Sequence, residues 1–412
     1  MAKKSVLFFV ILIVCIGIVG YFGGALKGNN QNTDSVFQSQ GSEPPIELKA
    51  LLWSGYINED IIAKAEKTLN LKITLKTFDS NDEFERILGL TSENRNTQIN
   101  VDYDLLMPTD FMVSKLAERK LIRKIDYESL TNYQNIALDI RRQALAQTLF
   151  QYAVPYIYGS LGIGYNYWEI GNIVFQWKDL FEPDSNVLFK GRIAISGDAR
   201  NSLGIALMAL GKSPNTRVRS EVEDAGRYLK KIIGQHDIQL LNTGMAKRLG
   251  DQELLISMAW SGEIAQLMYE ASSIVDEDFS NVGKIVRFSL PDEGALVFFD
   301  SFAIPVSTTK SDAAMQFINF LLDPEISAEV TNTSFYATVN KKATQFIERE
   351  IINGPAYFIP PHGSSVFSRE YLGADEAIYR EVWDDVVRYQ KNRNSAQTEY
   401  EDGRSKQLLW KF

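Results

Sequence analysis

Three short stretches of this 412-residue chain could do recognisable chemistry: Trp53-Ser54-Gly55-Tyr56, Trp260-Ser261-Gly262-Glu263 and Phe298-Phe299-Asp300-Ser301. Each sets aromatic faces beside a hydroxyl or a carboxylate. Together those groups suit an organic cation, whose charge takes oxygen while its alkyl stem lies on rings. Asp300 is the strongest single candidate, because an acid among apolar and aromatic neighbours needs a partner.

Catalytic patterns are absent from the sequence. Gly204 and Gly211-Lys212-Ser213 have six residues between the glycines where a phosphate loop has four, and their segment reads as a helix. There is no HExxH, no GxSxG and no dinucleotide GxGxxG after the first strand. Two histidines and one cysteine, Cys15, give no thiolate or imidazole metal set, and no cofactor is expected. Paired carboxylates are plentiful, which leaves a cleft hydrolase as a third reading, although nothing in their spacing supports it.

The elements that must position these residues are legible around them. Glu47–Trp53 reads as a strand, and Asn58 caps a helix carrying Ile61, Ile62, Ala65 and Leu69 on one face. Leu71–Thr77 alternates; a helix near 80–91, a strand over Val101–Met107 and a helix after Pro108 follow. Strand and helix in alternation predict a mostly parallel α/β sheet. Val154–Tyr165 reads as a strand crossing between two lobes, and Ser301–Pro305 as a return crossing. Ala314, Phe317, Ile318 and Leu321 form the buried face of a helix at 311–322 that Pro324 stops. The length supports two lobes, since single cores rarely exceed about 250–300 residues.

At the N-terminus, Lys3 and Lys4 precede the charge-free run Ser5–Gly24. It is long enough to span a bilayer, yet Gly23 and Ala25 also suit a cleavage site, so residues 1–26 are a signal peptide or a signal anchor. Either way the lysines predict an exported body, periplasmic or otherwise extracytoplasmic, secreted or anchored to the inner membrane through residues 5–24. Val14 before Cys15 argues against lipidation. Residues 27–45 read as a flexible linker. The net charge of −9 argues against a nucleic-acid partner.

In order along the chain, these motifs resemble the polyamine-binding proteins that serve ABC importers, most closely the putrescine-binding branch. Besides the three stretches, the resemblance runs through Asp104-Leu105-Leu106-Met107-Pro108 and Val154-Pro155-Tyr156 with Gly162-Ile163-Gly164-Tyr165-Asn166. It continues through Phe317–Pro324 and Phe335-Tyr336-Ala337-Thr338-Val339-Asn340. It implies a two-lobed α/β fold with crossing hinge strands and a central cleft. Lobe 1 takes 46–160 plus 301–343, lobe 2 takes 161–300 plus 344–390, and 391–412 is a tail. It also implies a monomer that delivers its ligand to importer membrane subunits, and no enzyme. A ligand sensor or adaptor on the same fold is the alternative.

Carried over residue by residue, ring-stacking roles fall on Trp53, Tyr56, Trp260, Phe298 and Tyr336. Ammonium-binding roles fall on Asp300 and Glu263, hydroxyl roles on Ser54 and Thr109, and a further acid on Asp198. The departures are Gly55 for an acid of the putrescine branch, Asn201 for a Glu, Phe111 for a Tyr, and Arg369 for a Gln. With Gly55 in place of an acid, the second pole of a diamine site must use Asp198, the nearby Asp110, or hydroxyls. A different amine therefore fits the sequence as well as a diamine does.

Overall fold

The computed structural model describes residues 44–90, 101–137, 146–171, 176–182, 189–273, 286–354, 357 and 366–409. The predicted signal or anchor at 1–26 and all but the last two residues of the predicted linker lie outside them.

Chain order begins with β1 (Ile46–Trp53), α1 (Glu59–Leu69) and β2 (Leu71–Phe78). Asn58 starts α1 by accepting the Ile61 N–H at 2.9 Å, and Asn70 ends it in the left-handed region, where a short polar side chain is tolerated. Ser80 caps α2 (Asn81–Ile87) in the same way. The strand expected at Val101–Met107 is confined to β3 (Leu105–Leu106), and Thr109 opens α3 (Asp110–Glu118). β1 lies between β2 and β3 and is parallel to both.

Two long strands join the halves. β4 (Ala153–Asn166) places Ala153–Ile157 in one hydrophobic core, and Leu161, Ile163 and Tyr165 in another. The second half of the sheet comprises β5 (Ile193–Ser196), β6 (Gln239–Leu241), β7 (Ile256–Trp260) and β8 (Val286–Ser289). β9 (Ala295–Ala303) returns, with Leu296 in the second core and Phe299, Phe302 and Ala303 in the first. The return crossing is thus earlier than Ser301–Pro305. Apart from Asp300 and Ser301 its residues are apolar or aromatic, which leaves no local sign of where one core stops and the next begins. β4 and β9 pair antiparallel, and Pro155, which has no N–H to give, sits where the register slips.

With β10 (Ala337–Thr338) on β4 and β11 (Val366–Ser368) on β9, one sheet path runs β2-β1-β3-β9-β4-β7-β5-β6 through both halves. In the second half, Asp198 opens α4 (Ala199–Ala209), followed by α5 (Arg219–His236) and α6 (Ser261–Ser273). Back in the first half, α7 (Ser311–Leu321) buries Ala314, Phe317, Ile318 and Leu321 completely, as the periodicity predicts. Asp323 and Pro324 then start α8 (Pro324–Ser334). The polar stretch from 391 continues α9 (Glu376–Leu409), which packs Tyr379, Trp383 and Val386 into the second core. Residues 410–412 lie outside the described set.

Candidate functional site

Both crossing strands pass beneath a cleft of about 570 Å³. All ten residues singled out from the sequence line it: Trp53, Ser54, Tyr56 and Thr109 from the first half; Asp198, Trp260 and Glu263 from the second; Phe298, Asp300 and Tyr336 on or beside the crossings.

Asp300 lies at the floor, 1% exposed. The Tyr56 hydroxyl donates to its Oδ2 at 2.8 Å and the Thr109 hydroxyl to its Oδ1 at 2.9 Å. Thr109 is the N-cap of α3 yet makes no side-chain cap bond, because its hydroxyl is turned to Asp300 instead. Burial pushes the Asp300 carboxyl up to about 7, although the Tyr56 and Thr109 bonds pull the other way. The Trp53 indole N–H, directed at the same carboxyl, adds a smaller pull in that direction. Glu263, in the first turn of α6, is half-buried and is likewise raised to about 7 by desolvation.

The rings form a continuous wall. Tyr56 meets Tyr336 edge-on at 5.4 Å, Tyr336 meets Phe298 at 5.9 Å, and Phe298 meets Trp260 at 5.1 Å. Two glycines make room for it. A Cβ on Gly262 would stand 2.6 Å from the Tyr336 ring, and one on Gly159 would stand 2.7 Å from Phe298. Gly55 has another role: its φ of +78° lies in the left-handed region while its surroundings are open, so the turn after β1 is what requires it.

The groups expected to form a second pole differ from expectation. Asp110 is not on the cleft wall. It is buried beside Asp300, with Oδ2 unpartnered and its carboxyl raised by burial to about 8, because α3 turns Thr109 and Asp110 to different sides. Asp198 is on the wall, but it accepts the Asn201 N–H at 2.8 Å and pairs with Arg369 at 3.3 Å. Arg369 also stands 3.9 Å over the Phe111 ring and 3.5 Å from the Asn201 side-chain oxygen. Three of the departures, at 111, 201 and 369, therefore meet at one point. Sequence reasoning missed Gln266, which lines the cleft one turn beyond Glu263 and was legible from its spacing. It also missed Asp82, exposed at the rim, which carried no signal beyond a helix-start acid.

A buried floor bearing acids and walled by rings is chemically suited to hold a cation. The comparisons with known proteins agree. The family model for bacterial extracellular solute-binding proteins matches residues 60–359. The spermidine/putrescine-binding periplasmic protein of Escherichia coli is 28% identical over 336 residues, covering 80% of this chain and 88% of that one. The putrescine-binding periplasmic protein of the same organism is 28% identical over 321 residues, covering 75% and 82%. Among solved structures, a lipoprotein of Treponema pallidum superposes with a TM-score of 0.68 at 22% identity, covering 82% of this chain and 99% of that one. The spermidine/putrescine ABC transporter substrate-binding protein of Streptococcus pneumoniae gives 0.66 at 22%, covering 84% and 99%. These neighbours share the two-lobed fold, and all the motifs that suggested polyamine-binding proteins except the first, Trp53–Tyr56, lie in the region the family model spans. By that match the chain belongs to the bacterial extracellular solute-binding proteins, a family that carries ligands rather than converting them.

Proposed function

We propose that the protein binds a small organic cation, a polyamine or a related amine, in this cleft and delivers it to the membrane subunits of an ABC importer. The observation that carries the reading is Asp300, buried under two donating hydroxyls at the centre of an aromatic wall. An ammonium entering there regains the oxygen contacts it loses from water, while its methylenes lie on Trp53, Tyr56, Trp260, Phe298 and Tyr336. Glu263 supports the same charge from the second half, and Ser54 lines the approach. Contacts on both halves favour the closed form, which is the state offered to the importer. The relatives described as spermidine/putrescine-binding and putrescine-binding support the amine class. The protein works outside the cytoplasm as a monomer, either secreted or tethered through residues 5–24.

Calorimetry of the full-length chain with putrescine, spermidine, cadaverine and 4-amino-1-butanol, against neutral 1,4-butanediol, tests this. Saturable heat with at least one amine and none with the diol is expected. Silence with every amine would end the proposal.

A further inference from the structure

One part of the cleft lining is built around a cation of the protein's own. Arg369, immediately after β11, reaches Asp198 at 3.3 Å and Asn201 Oδ1 at 3.5 Å, and covers the Phe111 ring at 3.9 Å. Phe111 belongs to α3 of the first half, whereas Asp198 and Asn201 open α4 of the second. Carboxylate, amide oxygen and ring face are the partners an alkylammonium would seek. The guanidinium has taken all three. Its side chain is only 16% exposed, and its Nε is buried without a partner.

We propose that Arg369 fills the second cationic subsite of this cleft, so that the preferred ligand carries one ammonium head and a neutral, hydrogen-bonding tail. The proposal rests on the amine reading of the Asp300 end. A diamine of matching length would bring its second charge toward an acid already paired, and would have to break the Arg369–Asp198 contact or sit beside a like charge. Asp82 offers no fresh partner: desolvation and the neighbouring Asp198 raise its carboxyl while Arg369 opposes the rise, so it belongs to the same occupied cluster. A tail hydroxyl meets no such repulsion and can accept from the guanidinium. A tail carboxylate would gain that contact but would face Asp198 and Asp82.

The test compares putrescine with 4-amino-1-butanol, which differ in one end group, an ammonium against a hydroxyl, by calorimetry on the full-length chain and on Arg369→Gln. The wild type is expected to bind the amino alcohol the more tightly. Arg369→Gln is expected to shift the ratio toward putrescine by at least tenfold, chiefly through tighter putrescine binding. Wild-type affinity for putrescine equal to or above that for the amino alcohol overturns the inference while leaving the amine reading intact. So does an unchanged ratio in a variant whose circular dichroism is native. If Arg369→Gln does not fold, the wild-type ratio decides alone. Absence of binding by every amine removes the parent reading, and this inference with it.

Discussion

Asp300 and Glu263 both carry carboxyls raised to about 7, because burial removes water and no basic neighbour compensates either one. Binding a cation stabilises the ionised acids, so ligand uptake expels protons where the free sites are still protonated. Amine affinity should therefore rise as pH goes from 6 to 8, and calorimetry in buffers of different ionisation heat should detect proton release near pH 6.5. A flat profile would mean that neither acid meets the ligand. The free protein should show the opposite trend in stability. In the folded state these acids hold protons above the usual carboxylate range, so the folded form binds more protons than the unfolded one between about pH 4 and 7. Their contribution is full at low pH and is lost as pH rises through 7, and saturating ligand should flatten that loss in thermal melts. Asp300→Asn should weaken amine binding at least about tenfold, the scale of one lost charge-assisted bond, with a native circular dichroism spectrum.

The elements explain why these residues can meet. Ser261, at the start of α6, accepts the Ser160 N–H from β4 at 3.1 Å, which fixes Trp260 and Glu263 against the crossing strand. Gly262 between them leaves the space in which the Tyr336 ring lies. Tyr336 is aimed there by Phe335, which ends α8 at a φ of +61° and sends its own ring into a small separate cluster. Gly262→Ala should push Tyr336 from its seat and cost about 1–2 kcal/mol of binding, roughly five- to thirtyfold in affinity, with little change in melting temperature. An unaltered dissociation constant would show that the Tyr336 face does not touch ligand. The aromatic and acidic members of these motifs were visible in the sequence. The use of Gly262 was not, since a glycine's purpose lies in the atom it omits.

For the whole molecule, two cores share one sheet, and β4 with β9 forms the only paired link that enters both among the described residues. A ligand touching both halves should stabilise them together. At a hundredfold excess over its dissociation constant it contributes about 2.7 kcal/mol, enough to raise the melting temperature by a few degrees. A single transition moving upward is expected in calorimetric scans. Two transitions, of which only one responds, would place the ligand on one half alone.

The sequence by itself determined what depends on neighbours along the chain. The buried face of α7, the cap at Asn58, and the pairing of rings with acids in short motifs all follow from periodicity and local hydrogen bonding. Only the tertiary structure decided which distant groups face each other. Tyr56 reaches Asp300 across 244 positions, Arg369 reaches Asp198 across 171, and Thr109 faces the cleft while Asp110 does not. Such choices are made by the packing of whole elements around two cores. A side chain's local pattern records that it must be buried or paired, but not against what.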